Sequence, residues 1–479
     1  MPYDQTKRES SLQATLAQIV GLLDKQELVS SVSLKQSPQK QDLVQTIVAK
    51  QQLVELQKRL DQLHPADLAF VLEGLPLDRR ERVWGLVRAD RRGAVLLELS
   101  DAVRDHLLGE MKENEIIGAA EHLDSDEIAY LLPSLPKDTV MRLLSALDRE
   151  DRTQVQTALT FPPGTVGSLM GFDMVTVREE VDVEVVLRYL RKLGGLPDRA
   201  DQLFIVDRAG TLKGVLPTKA LLIHNPDVPV AEVMNREPIV FHTDDSAREA
   251  VLAFERYDLI SAPVVNLHQQ LVGIITVDAV MDFINEAAQR EQLKKVGLKE
   301  EEDIFAPLWK SAKNRWAWLA TNLVTAFIAS RIIGVFEGTI EKLVAVATLM
   351  PIVASIAGNT GNQTVALVIR GLALDQINPS KIHRLLFKEI GISFMNGTVW
   401  GSIVGLFAFV FYAQLPLALV MTGAVMLNLL IASLVGIFIP LTLHKLGRDP
   451  VLGSSVMLTA VTDSMGFFIF LGLATVLLL

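Results

Sequence analysis

The sequence predicts a multidomain fold with an α-helical, solenoid-like N-terminal domain, an α/β tandem pair, a connecting helix and an all-α membrane domain of five transmembrane helices. Three observations predict this fold. A helical repeat recurs at an offset of 60 residues, a repeat of strands and helices follows at offsets of 64 and 59, and five apolar stretches fill the last third of the chain. A hydrocarbon layer of about 30 Å needs roughly 20 apolar helical residues, so each stretch is long enough to span.

Charge and composition narrow the classes of function. The chain has 479 residues and no cysteine, so disulfides and thiolate metal sites are excluded. Residues 1–305 carry a net charge near −15 and residues 306–479 one near +5. This balance argues against nucleic acid, which needs clustered Lys and Arg, and suits cations, although acidic surfaces also keep proteins soluble. The start, MPYDQTKRES, lacks the apolar segment of a signal peptide, so we expect cytoplasmic N-terminal domains.

The first repeat predicts a small helical solenoid. Residues 61–76, DQLHPADLAFVLEGLP, align with residues 121–136, EHLDSDEIAYLLPSLP. Short repeated helices that end at Leu-Pro are typical of stacked helical units, and they place a helical N-domain at 61–162. Residues 1–60 contain apolar stripes that suit amphipathic helices, and we interpret them as a helical extension of unknown role.

The second repeat predicts two similar α/β units. Residues 165–177 align with 229–241, and residues 203–216 align with 262–275. Each unit has the pattern of a strand, a helix, two hairpin-linked strands and a helix. This pattern resembles a tandem pair of CBS domains, and we place them at 163–226 and 227–280. The resemblance implies a module that senses small ligands and regulates an attached domain.

A charged connecting helix at 281–305 leads into the membrane domain at 306–479. Basic residues cluster before the first apolar stretch, between the second and third, and between the fourth and fifth, whereas the link between the third and fourth has no charge. The positive-inside rule then places the N-terminus in the cytoplasm and the C-terminus outside. The predicted spans are about 316–335, 343–369, 390–413, 415–443 and 452–479.

Polar residues inside two of these spans predict a cation pathway. The second span contains PIVASIAGNTGNQTVALVIR, and its amides Asn359, Asn362 and Gln363 lie at membrane depth. The fifth span contains Asp463, with Thr459 one helical turn earlier. An acid there costs about 3 kcal/mol or more, so it usually marks a site, and one carboxylate among amide and hydroxyl oxygens suits hydrated Mg²⁺. The alternative is that Asp463 only forms a hydrogen bond between helices.

With these motifs, the chain resembles the MgtE family of magnesium channels over nearly its whole length. The most specific motifs are GNTGNQ, seven residues after Pro351, and TAVTDSMG around Asp463, and GRDP before the fifth span agrees. The resemblance implies a magnesium-selective channel of the cell inner membrane that conducts Mg²⁺ inward down the membrane potential. It also implies that the connecting helix is a plug, held shut by cytosolic Mg²⁺ between acidic faces. One carboxylate neutralises only half of the charge of a divalent ion. We therefore expect a homodimer, whose two-fold axis would bring two such carboxylates together.

An acidic stripe on the connecting helix is the main candidate for the regulatory site. Asp278, Asp282 and Glu286 recur every four residues, and like charges at this spacing repel unless a cation or a basic group meets them. A solvated acidic face is the alternative for any one of them. Further candidates, whose partners the sequence does not assign, are Asp244, Asp245, Asp67 and Glu73.

The remaining alternatives concern nucleotides and other functions. Many CBS pairs that bind adenosine phosphates carry Thr or Ser three residues before Asp. Here Ala279 stands three residues after Thr276, in the place of that Asp, and Pro217 replaces the Thr of the first repeat. The sequence is compatible with ATP binding at the CBS pair but does not favour it. No P-loop or nucleophile–base pair indicates an enzyme. Two alternative functions remain. One is a transporter of Co²⁺ or Mn²⁺, and the other is a membrane-anchored CBS sensor without transport, although a pure anchor needs no intramembrane acid.

Overall fold

The structure is a computed structural model that describes residues 12–25, 41–194, 200–295, 297–298, 302–373, 376–377, 379–451 and 453–479. It divides into two compact units, Met1–Ala288 with Glu301–Ala306 and Gln289–Glu300 with Pro307–Leu479. The predicted helical extension at 1–60 lies partly outside the described residues, which omit 1–11 and 26–40.

The first unit begins with a chain of short helices, as the helical repeat predicted. Most of them have a defined start because a carboxylate or proline lies at the N-terminus; Glu127, for example, accepts a hydrogen bond from the Asp124 N–H at 3.0 Å. One continuous apolar core joins them. The helices are α1 (12–25), α2 (Gln41–Gln62), α3 (Pro65–Glu73), α4 (Leu77–Leu86), α5 (Ala89–Glu98), α6 (Asp101–Glu110), α7 (Glu113–Ala120), α8 (Ser125–Leu131), α9 (Lys137–Ala146) and α10 (Arg149–Ala158).

Two three-stranded sheets follow, and they have the same topology. In each sheet a two-residue strand pairs in parallel with the central strand, which pairs antiparallel with the third. The predicted order of strand, helix, two hairpin-linked strands and helix is confirmed. The elements are β1 (Thr176–Val177), α11 (Val183–Leu193), β2 (Gln202–Val206), β3 (Leu212–Pro217), α12 (Thr218–Ile223), α13 (Val230–Val233), β4 (Phe241–His242), α14 (Ala247–Tyr257), β5 (Ser261–Val265), β6 (Leu271–Thr276) and α15 (Val277–Lys295).

The repeat extends to backbone conformation. The hairpin turns place Gly210 and Gln269, 59 residues apart, at φ 81° and 61°. The ends of α11 and α14 place Gly194 and Asp258, 64 residues apart, at φ 73° and 51°. A left-handed conformation favours glycine, so the second copy keeps the backbone shape of the first although its side chains are less suited to it.

The second unit contains the five long apolar helices that the sequence predicted, with a short helix after the first. Of the five, α20 is the most buried, and it packs against α18, α19 and α21. Two helices start well before their apolar stretches, because polar residues such as those of KSAKNR continue a helix readily outside the hydrocarbon. The helices are α16 (Leu308–Val335), α17 (Glu337–Lys342), α18 (Val344–Ala373), α19 (Pro379–Tyr412), α20 (Leu415–Lys445) and α21 (Ser454–Leu478).

A buried ion pair fixes the segment that precedes α16 to the helical domain. The fully buried Arg80 of α4 donates to the Leu72 and Leu75 carbonyls at 2.8 and 3.0 Å. It also donates to both carboxylate oxygens of Asp303, at 2.5 and 3.2 Å. Burial alone would raise the pKa of Asp303, but hydrogen bonds from Arg80 and the Phe305 N–H, with the charge of Arg80, hold it below the usual range. The pair therefore stabilises the fold at neutral pH, and this contribution is lost as the pH falls through the lowered pKa.

We expect Arg80→Ala to destabilise the helical domain by about 3 to 5 kcal/mol, because it leaves the Asp303 carboxylate buried without its cation. Amide hydrogen exchange of the full chain in detergent would measure this, with faster exchange across α3 and α4. Arg88→Ala is the matched control, because Arg88 pairs with Asp90 at an exposed site and such pairs contribute only about 0 to 1 kcal/mol. Equal exchange in both variants would contradict the role of Arg80.

Candidate functional site

The candidate pathway lies beside a seam between α18 and α21. A Cβ added at Gly361 would lie 2.8 Å from Leu458 Cδ1, and one added at Gly358 would lie 3.9 Å from Thr462 Oγ1. Residue numbers rise along α18 as they fall along α21, so the two helices are antiparallel. Small residues let helix backbones approach closely in a membrane, which explains the two glycines of GNTGNQ.

Four of the predicted pore residues flank this seam. Asn359 and Asn362 each follow one of the two glycines, while Thr459 and Asp463 each follow the α21 residue that packs against them. Successive residues of a helix are rotated by about 100° around its axis. These four side chains therefore lie beside the seam and not within it. Gln363 is exposed and lies about 200° round the helix from Gly361, on the face turned away from α21.

The flanking side chains have few partners within the chain. Asp463 is half-buried, and no described residue donates a hydrogen bond to it. Thr459 is exposed, and its Oγ1 donates to the Ser455 carbonyl at 2.9 Å, which leaves the lone pairs of the oxygen available. Across the described residues, no group of three or more His, Asp or Glu side chains forms a metal site. Each chain therefore offers one carboxylate beside neutral oxygens.

Behind the seam, the structure reveals buried polar residues that the sequence analysis missed. Thr364 Oγ1 on α18 donates to Glu389 Oε2 on α19 at 3.0 Å, and both side chains are buried. On α20, Asn428 Nδ2 donates to the Val353 carbonyl of α18 at 3.1 Å. Asn428 interrupts an otherwise apolar stretch, and that interruption is the signal that could have found it.

The acidic stripe lies on a single helix, α15, as its spacing predicted. Asp282 is exposed, whereas Asp278 and Glu286 are half-buried. Glu286 accepts a hydrogen bond from Tyr130 Oη of α8 at 3.1 Å, so one member of the stripe contacts the helical domain. Near its end, α15 also pairs with the link before α21, because Lys294 Nζ lies 2.7 Å from Asp449 Oδ2 of the GRDP motif.

Three of the other four regulatory candidates have local structural roles, and the structure assigns no role to the fourth. Glu73 Oε1 accepts from the Ser100 N–H at 2.8 Å at the start of α6. Asp67 lies in the first turn of α3, where a negative charge favours the helix dipole. Asp245 Oδ2 accepts from the His242 N–H at 2.7 Å, and Asp244 is exposed.

A second acidic cluster, which the sequence analysis did not select, joins α8 to the second sheet. Asp126 lies next to Gly171, which pairs with Ile274 of β6, and a Cβ at Gly171 would be 3.4 Å from Asp126 Oδ2. Burial, with the negative charges of Asp124, Glu127 and Asp173, raises the pKa of Asp126 to about 6. Asp124 and Glu127 form a capping box at the start of α8, a pattern that sequence alone can reveal, but the environment of Asp126 depends on tertiary packing.

Three family models match the chain in the order of its domains. Residues 63–164 match an intracellular N domain, residues 230–286 match a CBS domain and residues 350–473 match a divalent cation transporter domain. Among solved structures, the cytosolic domain of the Mg²⁺ channel MgtE in complex with ATP is 30% identical and covers 50% of this chain and 98% of that chain, with a TM-score of 0.46.

Curated relatives extend the match to most of the chain. The magnesium transporter MgtE of Bacillus subtilis is 27% identical over 416 residues, which cover 87% of this chain and 92% of the relative. That of Thermus thermophilus is 31% identical over 434 residues, which cover 88% of this chain and 95% of the relative. These relatives are transporters and not enzymes. The chain therefore belongs to the MgtE family of magnesium transporters.

Proposed function

We propose that the protein is a homodimeric Mg²⁺ channel of the cell inner membrane, with cytoplasmic N-terminal domains that close it when they bind intracellular Mg²⁺. The observation that carries the proposal is Asp463, an intramembrane carboxylate without a donor among the described residues, beside a seam flanked by amide and hydroxyl oxygens. Mg²⁺ keeps several waters and uses one or two carboxylates, which suits such a site. A membrane potential of 100 mV supplies about 4.6 kcal/mol for a divalent ion, so no ATP hydrolysis is needed.

Two features support the dimer. A single Asp463 balances half of a divalent charge, and a two-fold axis would bring a second one to the same ion. In the cytoplasmic unit, α11 exposes Val185, Tyr189 and Leu193 at a spacing of four residues. This spacing places them on one face of the helix, and we assign that face to a second copy of the chain.

We expect Asp463→Asn to reduce Mg²⁺ uptake into proteoliposomes by at least about tenfold, because it removes the attracting charge while the helix keeps its shape. Glu341→Gln is the control, since Glu341 is an exposed carboxylate on the short helix α17. Normal uptake by the folded Asn variant would give Asp463 a structural role.

The same assay distinguishes the alternative functions. Uptake of Co²⁺ or Mn²⁺ in preference to Mg²⁺ would make this chain a transporter of another divalent ion. If the unmodified protein conducted none of the three, a membrane-anchored CBS sensor without transport would replace the channel.

For regulation, we propose that Mg²⁺ bound at the acidic stripe of α15 stabilises the closed state. An ion shifts an equilibrium by its difference in affinity between two states, and carboxylates that come together in one state provide that difference. The contact between Glu286 and Tyr130 supports the proposal, because it places the stripe against α8 within the same unit. Asp244, Asp245, Asp67 and Glu73 remain secondary candidates for further Mg²⁺ ligands.

We expect limited proteolysis to cut the unmodified protein faster in chelator than in millimolar Mg²⁺, because repulsion loosens the cytoplasmic domains. Neutralising Asp278, Asp282 and Glu286 together, to Asn, Asn and Gln, should make cleavage similar in both conditions. A control with Glu249→Gln and Glu255→Gln changes two exposed acids on α14 and should keep the Mg²⁺ response. Cleavage of the unmodified protein that ignored Mg²⁺ would contradict the proposed sensor.

The cluster around Asp126 supports a junction that is sensitive to charge. Its pKa in the fold, about 6, lies above the usual 3.8, so the folded state binds the proton more tightly than the unfolded state. The stabilising effect is therefore fully present below the usual pKa and is lost as the pH rises through 6. At neutral pH the packed carboxylates repel, and neutralising them strengthens the contact between α8 and the second sheet.

Accordingly, Asp126→Asn should raise the stability of the cytoplasmic unit at pH 7.5 by up to about 3 kcal/mol, because the buried charge is gone. Thermal unfolding of the full chain in chelator would measure this. The unmodified protein should become more stable from pH 7.5 to 5.5, and the Asn variant should lose most of that gain. Glu255→Gln, a change at an exposed acid of α14, is the control. An unchanged pH dependence in the Asp126 variant would disprove the role of the cluster.

We do not assign ATP to the CBS pair. In this chain Thr276 Oγ1 lies 3.5 Å from the Ala279 N–H at the start of α15, and the residue that would meet a ribose is Ala279. A solved relative binds ATP, so equilibrium binding of ATP to the full chain remains the direct test.

A further inference from the structure

We infer that Asn428 is a positioning residue for ion passage, because its amide fixes α18 to α21 beside the Asp463 site. This inference rests on the proposal that the α18–α21 seam borders the ion pathway. Asn428 is fully buried in the middle of α20, a helix that packs against both α18 and α21. Its side chain contacts both helices.

Two contacts define its position. Nδ2 donates to the Val353 carbonyl at 3.1 Å, six residues before Asn359. On the other side, the amide fills the space above Gly466, where an added Cβ would overlap Nδ2 and lie 3.1 Å from Cγ. Gly466 is the glycine of TDSMG, three residues after Asp463. One side chain thus connects the amide motif of α18 to the acidic motif of α21.

Packing alone does not require an amide at this position. Asn428 Oδ1 is buried and accepts no hydrogen bond from the described residues, so the group is only half satisfied. A leucine has a similar branched outline and would bury without that cost. The amide therefore contributes a specific attachment at the Val353 carbonyl, and the glycine opposite provides the space for it.

The test uses a cysteine pair across the seam, because the chain has no cysteine of its own. Gly358→Cys and Thr462→Cys would place two thiols at a position where the Cβ of residue 358 lies 3.9 Å from Thr462 Oγ1. This separation suits a disulfide after a small adjustment. The rate of oxidative cross-linking in membranes then reports the seam directly, without reference to ion flux.

In this background, Asn428→Leu should slow cross-linking by about tenfold. In the cysteine-free protein, the same substitution should raise the Mg²⁺ concentration that gives half-maximal uptake by a similar factor. Leu429→Ala is the matched control, because it shortens the next buried residue of α20 without touching a polar contact. It should lower the yield of folded protein and leave the half-saturating Mg²⁺ concentration within about twofold.

The glycine provides a second, independent variant. Gly466→Ala should slow cross-linking, because the new methyl group would overlap Asn428 Nδ2 and displace the amide from the Val353 carbonyl. Gly472→Ala, on the same helix with its nearest atom at 3.9 Å, should have no effect. Unchanged cross-linking in Asn428→Leu would overturn the inference even if Asp463 proved essential. If Asp463→Asn conducted normally while Asn428→Leu slowed cross-linking, the pathway proposal would fail and the attachment would stand.

Discussion

The membrane unit depends on the close approach of α18 and α21 at Gly358 and Gly361. A larger side chain at Gly361 would meet Leu458, and the polar residues that follow the two glycines would no longer flank α21. Lipid does not press helices together as water does, so contact in a membrane depends on shape and on hydrogen bonds. The glycines provide the shape, and Asn428 and Thr364 provide buried hydrogen bonds on either side of the motif.

The unit that contains the helical domain and the two sheets is organised by charge. Arg80 and Asp303 form a buried pair of opposite sign, which keeps the segment before α16 on the helical domain. Asp126 and its acidic neighbours form the opposite case, a crowded set of like charges at the contact between α8 and the second sheet. The buried pair of opposite charges by itself stabilises the compact state at neutral pH. The crowded carboxylates around Asp126 stabilise the compact state only when they are neutralised. A cation sensor needs this property.

Sequence patterns predicted the helical repeat, the paired sheets and the five apolar helices, because each leaves a periodic signal. The pore candidates Asp463 and Asn362 were also visible, since polar residues stand out in an apolar stretch. Arg80, Asp126 and Glu389 were not, because charged residues are common in the surrounding sequence. Only tertiary packing buries Arg80 and Glu389 and places Asp126 against Gly171. The sequence also offered Glu73 as a candidate ligand without assigning its partner, and the structure shows that its carboxylate accepts a hydrogen bond from the Ser100 N–H, 27 positions away in the chain.

The ion pair between Lys294 and Asp449 attaches the last turn of α15 to the link that begins α21, and both side chains remain partly exposed to solvent. A pair of this kind contributes at most about 1 kcal/mol and is weakened by dissolved salt. The attachment therefore weakens as the ionic strength of the solution around it rises. Dilution of that solution would strengthen the pair and hold the end of α15 more firmly to the link before α21.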